Sequence, residues 1–507
     1  MSLDLALSIA RSGLSHVNRQ LAQSAANVAN AATPGYTRKT VEGEASVAGR
    51  LSAGVRSAEA TRAVDAALLT KLNAARATAE AASTRARLLE GVEVAHGATG
   101  ESVADLTGAL GDAFVLLRGD PADALLQGAV LDAAEALTAR YKTVSAAIQE
   151  ARQGAQDGLE EGVAALNRAL RQVSDLTARI VPLRAQGMST VELEDQRDLA
   201  VAGIAAIMEV RAVGHADGNM VLIGAGGLAL PLHAQEGPFS IAAAAVGAQA
   251  YHGGSGTLPG VVLGGVDVTA QLGNGSLAAL AALRDRDLPL AQAELDVSAA
   301  NLAARFEAQG LRLFTGDSGA VPDPATPYAT SGWIGFSGAL RVNPAVLADS
   351  TLLRDGTHAV VGLPGGPSAF TPNPAGGPAA FTTLIDRVLN HSLGNEASAG
   401  NPHPAFAFGG LGPDGSLSST LRNARSLGEH AGRLVATQAA ARARAEEDGK
   451  AAGDLLSTLE TAFSERSGVD MDTELARMMT LQTAYAANAR LISVVQGLYD
   501  TLFQAVR

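Results

Sequence analysis

Gly316-Asp317-Ser318-Gly319 has the residue types of a serine nucleophile loop, and Ser318 is the one side chain there that could attack a carbonyl. Such chemistry needs a histidine base and a carboxylate to orient it, held on a rigid framework. The flanks are a helical segment on one side and a Pro-rich loop on the other, so a Gly-rich turn is expected. Gly224-Ala225-Gly226-Gly227-Leu228-Ala229 fits G-x-G-x-x-A, but Pro231 and its neighbours offer no helix whose amides could face a pyrophosphate. A hairpin turn is expected there. The nine histidines show no H-E-x-x-H or similar ligand spacing, and His391 and His403, in loop-like sequence, are expected to face solvent. Asp195-Gln196-Arg197-Asp198 is expected to make a local ion pair and a helix–helix contact. None of these builds a catalytic site, so no enzyme activity, cofactor or metal is expected.

Composition narrows the field further. A net charge of −13 with no basic run argues against a nucleic-acid surface, because phosphate binding needs clustered Lys and Arg. Cysteine is absent, which removes disulfides, thiolate nucleophiles and Cys-ligated zinc, and suits a chain that passes unfolded through an export apparatus. The first twenty residues lack a basic segment followed by a continuous apolar core, so no cleavable signal peptide is expected. No apolar run of about 18 residues is present to span a membrane. At 507 residues, with 47% hydrophobic and 18% charged side chains, two to four structural units are expected.

The elements are legible from periodicity. Leu3, Leu7, Ala10, Leu14, Val17, Leu21, Ser24, Val28 and Ala31 alternate spacings of four and three, a heptad seam on one helix. Met471, Glu474, Met478, Leu481, Tyr485, Asn488, Ile492, Val495, Tyr499, Leu502 and Val506 repeat the device at the far end, opened by carboxylates at Asp470, Asp472 and Glu474. Six large seam residues cannot offset the ordering of nearly thirty backbones, so neither helix is expected to be stable by itself. Met479, Leu491, Val494, Leu498 and Phe503 add apolar surface off the seam. The last helix therefore needs neighbours on more than one face, beyond any pairing of the two chain ends. Between the ends, 65–89 and 102–208 read as helix, about 209–268 as short strands, 275–310 as helix, 314–415 as a loop-and-strand region dense in Pro and Gly, and 418–464 as helix.

The segment Ala26 to Lys39, ANVANAATPGYTRK, resembles the N-terminal motif of bacterial flagellar axial proteins, and its Tyr36-x-Arg38 continuation is most similar to the flagellar hook-associated protein 1 (FlgK) family. Segments 116–141, 192–213 and 467–506 resemble that family too, in family order, together with the start of the helix at Gly275. The resemblance implies a predominantly α, α+β fold. Terminal helices (1–45 with 466–507) form a coiled-coil-like inner-tube domain. A helical-bundle middle domain takes 46–210 with 275–313 and 416–465, and β-rich insertions occupy 211–274 and, in Pro/Gly-rich β/loop form, 314–415. It implies a hook–filament junction subunit, exported without a signal peptide and located in the extracellular flagellum. The implied partners are neighbouring subunits in a ring, hook protein, the second junction protein, the filament cap and an export chaperone. A rod, hook or second junction protein is the alternative, with a secreted serine hydrolase using Ser318 as the other.

The same resemblance implies that Leu7, Leu14, Val17, Leu21, Asn27, Asn30, Pro34, Gly35, Tyr36, Met478, Leu481, Tyr485, Ile492, Val495, Tyr499 and Leu502 form the assembly interface. Asn27 and Asn30 are expected to hydrogen-bond across a helix interface or to lie at a solvated helix end. Pro34 and Gly35 end the helix and turn the chain, and Tyr36 is expected to plug the corner with its ring buried and its hydroxyl wet. The termini are expected to order mainly against neighbouring copies.

Overall fold

The computed structural model describes residues 3–48, 51–232, 237–330 and 332–505. Val506, at the end of the C-terminal seam, lies outside them. The chain opens with α1 (Leu3–Asn30), followed by the short strand β1 (Lys39–Thr40), the hairpin β2 (Gly43–Ala48) and β3 (Leu51–Ser57), and β4 (Thr61–Arg62), which pairs antiparallel with β1. Long helices follow: α2 (Ala66–Ala95), α3 (Val103–Gly119), α4 (Ala124–Ala185) and α5 (Val191–Ile207). Ser102 and Asp105 close a reciprocal capping box at the start of α3, and Asp65 and Asp123 cap α2 and α4. At 1.5 Å per residue α4 runs roughly 90 Å, the spine of the molecule. One stripe of it, including Leu137, Val144, Ile148, Leu159, Leu166, Val173 and Ile180, is fully or almost fully buried.

The first insertion holds β5 (Val210–Gly214), β6 (Met220–Gly224) and β7 (Ala229–Leu230) in one antiparallel sheet, and β8 (Phe239–Ser240), β9 (Val262–Leu263) and β10 (Val266–Asp267) in another. Gly224 to Ala229 forms the tight β6–β7 connection, with a short 3-10 turn and no helix for a dinucleotide. Residues 241–250 run without a ladder, because α4 satisfies their backbone instead. Arg152 donates to the carbonyls of Gly247 and Ala250, Gln156 to that of Ala242, and Gln153 accepts from Val246 N–H.

Helix returns as α6 (Ser276–Ala282), a π-turn over Leu283–Asp287 and α7 (Leu288–Ala308), which is buried along almost its whole length. The second insertion differs from a strand-built one. Its strands β11 (Phe314–Thr315), β12 (Arg341–Val342), β13 (Glu396–Ser398) and β14 (Asn401–Pro402) are very short, interleaved with small helices α8 (Phe336–Ala339), α9 (Pro344–Ala348), α10 (Leu352–Asp355) and α11 (Thr383–Arg387). Prolines and glycines interrupt any longer ladder. Order comes from the core: Phe314, Trp333, Phe336, Leu340, Val346 and Leu384 join the same apolar cluster as α3, α4 and α7, with Phe306 set edge-on to Phe314 at 5.3 Å. Asp296 of α7, fully buried, accepts bonds from Tyr328 Oη, Gly335 N, Ser337 N and Oγ, and Gln292 Nε2, fixing the loop over it.

The chain closes with α12 (Leu427–Ser467), capped by Ser426, and α13 (Met471–Ala505). α12 pairs antiparallel with α2, through Arg466–Asp65 at 2.8 Å, Arg76–Glu460 at 3.0 Å and Arg442–Glu93 at 3.0 Å. α13 runs antiparallel to α1: Asn488 faces Gly13, and Tyr499 Oη donates to Asp4. Both terminal helices are thus formed and paired with each other within one chain.

The β2–β3 hairpin, absent from the sequence expectation, packs along α1. Ser12 Oγ accepts from Val55 N–H at 3.1 Å, and His16 Nδ1 meets Ser57 Oγ at 3.0 Å. Gly54 makes this approach possible: its φ is +114°, and a Cβ there would sit 2.2 Å from Ser12 Oγ. Gly54→Ala is expected to destabilise the chain by about 1–3 kcal/mol in urea unfolding. Gly100→Ala, at φ +93° with open space around it, should cost less.

Candidate functional site

The exit from α1 is built from residues that each answer a backbone need. After Asn30 the chain turns with Thr33 N–H bonded to Asn30 O and Tyr36 N–H to Thr33 O, and Gly35 takes φ +76° against Leu199 of α5. Asn27 is completely buried. It donates to Lys39 O at 2.9 Å and accepts from Lys39 N–H at 3.2 Å and Tyr36 Oη at 3.0 Å, clamping the outgoing strand to the helix that precedes it. Asn30 bonds locally, to Ala26 O and Thr33 Oγ1. Asn30 does not span to another helix, whereas Asn27, besides holding the chain's own return strand, also reaches Glu474 of α13 across the helix pair. Tyr36 is half-buried and its hydroxyl is bonded, not wet. Burial, reinforced by Glu192, Asp195 and Glu474, pushes the phenol up to about 12, so it stays a donor.

From this elbow, charged side chains reach the body. Lys39, fully buried, sits 3.4 Å from the Tyr36 ring centre and bridges Glu192 at 2.9 Å and Asp195 at 2.8 Å. Asp195 also accepts from Thr37 N–H at 3.1 Å, Thr37 Oγ1 at 2.7 Å and Arg62 at 2.9 Å. Arg62 adds Glu194 at 3.0 Å and Asp198 at 2.8 Å. Burial opposes its charge, but Asp198, Asp195 and Glu194 more than compensate and raise its pKa. The acidic face of α5 is therefore a socket for the elbow, not the local pair expected from spacing. The partners lie more than 130 residues away, where i,i+4 reasoning has no reach.

A second strut joins the elbow to α13. Arg38 pairs with Glu474 at 2.7 Å and its N–H bonds to Ser467 O at 2.8 Å. Burial pushes the Glu474 carboxyl up, yet Arg38, with Ser24 and Asn27, leaves it below the usual range. Asp470, not Glu474, caps α13, accepting from the backbone of Asp472 and Thr473. Arg38→Ala would leave a buried carboxylate without its cation. A loss of about 3 kcal/mol is expected, read as faster amide exchange along α13 while α4 stays protected.

The remaining interface candidates divide by exposure. Val17, Leu481 and Val495 are buried between α1 and α13; Leu7, Leu14, Leu21, Met478, Ile492 and Tyr499 are half-buried; Pro34, Gly35, Tyr485 and Leu502 are exposed. Off the seam, Met479 is 64% exposed, Val494 60% and Phe503 67%, with Leu475, Leu491 and Leu498 also exposed; Met471, at the start of the seam, is exposed too. At about 100° per residue, Leu475 and Met479 lie on one flank of the α1 contact, and Leu491, Val494 and Leu498 on the other. α1 carries no comparable bare face, since the β2–β3 hairpin covers it.

The chemistry weighed at other positions resolves plainly. Ser318 is exposed on a turn closed by Gly319 N–H to Gly316 O, and no histidine bonds to it. His403 does not face solvent: it is buried, its Nε2 bonded to His391 O at 2.6 Å, because a loop carbonyl needed a donor there. His391 is half-buried in a π-turn and bonds Glu396 O. Among the described residues no three His, Asp or Glu side chains gather as a metal site, and no helix is long and apolar enough to cross a membrane.

Comparison with known families follows the same geometry. The flagellar hook-associated protein FlgK helical domain matches residues 89–320, the block formed by α3 to α7 with the first insertion, and the C-terminal region of flagellar basal body rod FlgEFG proteins matches 460–505, which is α13 and the end of α12. Over residues 89–320 the chain is similar to the FlgK helical domain. The second match places α13 in a segment similar to the C-terminal region of basal body rod proteins. The flagellar hook junction protein FlgK from Burkholderia pseudomallei is similar at 23% identity, over 50% of this chain and 45% of that one, with a TM-score of 0.39. The shared span is thus less than half the length of that solved chain. No curated protein matches.

Proposed function

We propose that this chain is a hook–filament junction subunit that assembles at the distal end of the hook through its terminal-helix pair, acting structurally and not as a catalyst. The observation that carries this is the bare apolar surface on both flanks of α13, opposite a seam already filled by α1. Exposed aliphatic stripes of this length on one helix are unfavourable in water and mark a surface made for partners. Two flanks suit a ring of neighbouring subunits, each α13 lying between two others. Hook protein on one side, the second junction protein and the filament cap on the other, and an export chaperone before assembly are the partners of this reading. Its setting is the extracellular flagellum.

The elbow has a defined part in this assembly. It aims the helix pair relative to α4 and α5, so that ring contacts at the termini fix the orientation of the body. Val494→Glu combined with Leu498→Glu should leave the α1–α13 seam and the body folded while placing charge on one flank. Cells carrying this variant are expected to export the subunit into the medium and to build hooks without filaments. Normal filaments and motility in those cells would contradict the reading.

A further inference from the structure

A cleft of about 200 Å3 opens between α2, α5 and β5, behind the elbow. Asn73, Arg197, Arg211, Arg62 and Asp198 supply its polar lining. Arg62 and Asp198 satisfy each other at 2.8 Å. The other three do not. Asn73 is only 6% exposed and makes no hydrogen bond with either amide atom, leaving Oδ1 without a partner. Arg197 is 5% exposed; one terminal nitrogen reaches Gly218 O at 2.7 Å and Thr177 Oγ1 at 3.5 Å, while Nε has no partner and, among the described residues, no carboxylate forms an ion pair with it. Arg211, at the mouth, has neither an ion pair nor a side-chain hydrogen bond.

Buried polar groups of this kind are satisfied in folded proteins. The unmet valences are mostly donors on two guanidinium groups, with one acceptor on Asn73. A complementary guest is small, negative and rich in acceptors, yet carries one O–H to give. Hydrogen phosphate has that pattern and the size, whereas sulfate at neutral pH lacks the donor. We propose that this cleft binds a phosphate group, held by Arg197 and Arg211 and read by the Asn73 amide. The group is free hydrogen phosphate, because the phosphate of a monoester has lost its O–H at neutral pH. Arg62 borders both the cleft and the elbow, so occupancy also braces the socket of α5.

The test is equilibrium dialysis of the full chain against labelled inorganic phosphate at fixed ionic strength, with sulfate and glycerol phosphate as competitors. One saturable site per chain is expected, displaced poorly by sulfate and by glycerol phosphate, neither of which carries an O–H on its anionic group at neutral pH. Asn73→Leu and Arg211→Ala should each weaken binding by roughly tenfold or more, the scale of one charge-assisted hydrogen bond. Arg211 is exposed and packs against little, so its variant carries the test if Asn73→Leu fails to fold. Absence of saturable binding, or equal binding by the wild-type chain and a folded variant, would overturn the proposal.

Discussion

Asp195→Ala is expected to lower the free energy of unfolding by about 3–5 kcal/mol, the scale seen when one partner is removed from a buried charge network. The carboxylate accepts from Thr37, Lys39 and Arg62, and Lys39 has no exposure with which to regain water. Glu192, the other partner of Lys39, is largely exposed and a weak substitute. The loss should appear as a lower urea midpoint. It should also appear as a freed elbow, with early exchange at Thr37 to Thr40 and at α13, because Arg38 and Lys39 are adjacent struts of one strand. Asp195→Asn keeps two acceptor sites on its oxygen and should lose less. An alanine variant as stable as the parent would remove the socket from the account.

Acid should loosen a second region. His430 is buried, stacked on Phe406 at 4.0 Å, and burial together with Arg305 and Arg433 depresses its pKa to about 3. Burial with Arg305 and His391 depresses His403 to about 4, although a carbonyl bond works the other way. Among the described residues no carboxylate forms an ion pair with either ring, and the Arg305 guanidinium lies 4.8 Å from the Phe406 ring centre. Folded-state values below the unfolded value of about 6.5 mean that the unfolded chain takes up protons first as pH falls. The packing of 403–434 on α7 is therefore fully favourable above about pH 6.5 and is lost progressively toward the two folded values. The expected loss is several kcal/mol by pH 4, at ~1.4 kcal/mol per unit of depression at His430. His430→Phe, which keeps the stack, should flatten the dependence, read as urea midpoints at pH 7 and pH 4.5.

Much of this architecture is written in residue spacing. The alternation of four and three from Leu3 and from Met471 marks the two helices that pair, and Pro34-Gly35 marks where the first one ends. Long periodic runs also marked α2, the helical block that holds α3 to α5, and α7, while α12 begins nine residues later than expected because Ser426 supplies its cap. What stayed hidden has a common cause. Gly43 to Ser57 consists largely of small residues, so its hairpin shows no strand alternation and exists through contact with α1. The α5 carboxylates look like a local charge cluster until the elbow folds back onto them. Residues 314–415 look like an external loop because Pro and Gly obscure the apolar side chains that seat them in the core. Asn27 was legible as important, but its partner, the backbone of Lys39, depends on a turn whose direction spacing does not give.

The account stands on α13 meeting sister copies with the apolar flanks that α1 leaves bare. Because the chain has no cysteine, a single spin label can be placed at Val494→Cys, and a second, in a separate variant, at Leu481→Cys within the filled seam. In the free chain the label at 494 should be mobile and that at 481 immobile. After the protein docks on isolated hooks, the label at 494 should become immobile while that at 481 hardly changes. A label at 494 that stays as mobile on the hook as in solution would contradict assembly through this face.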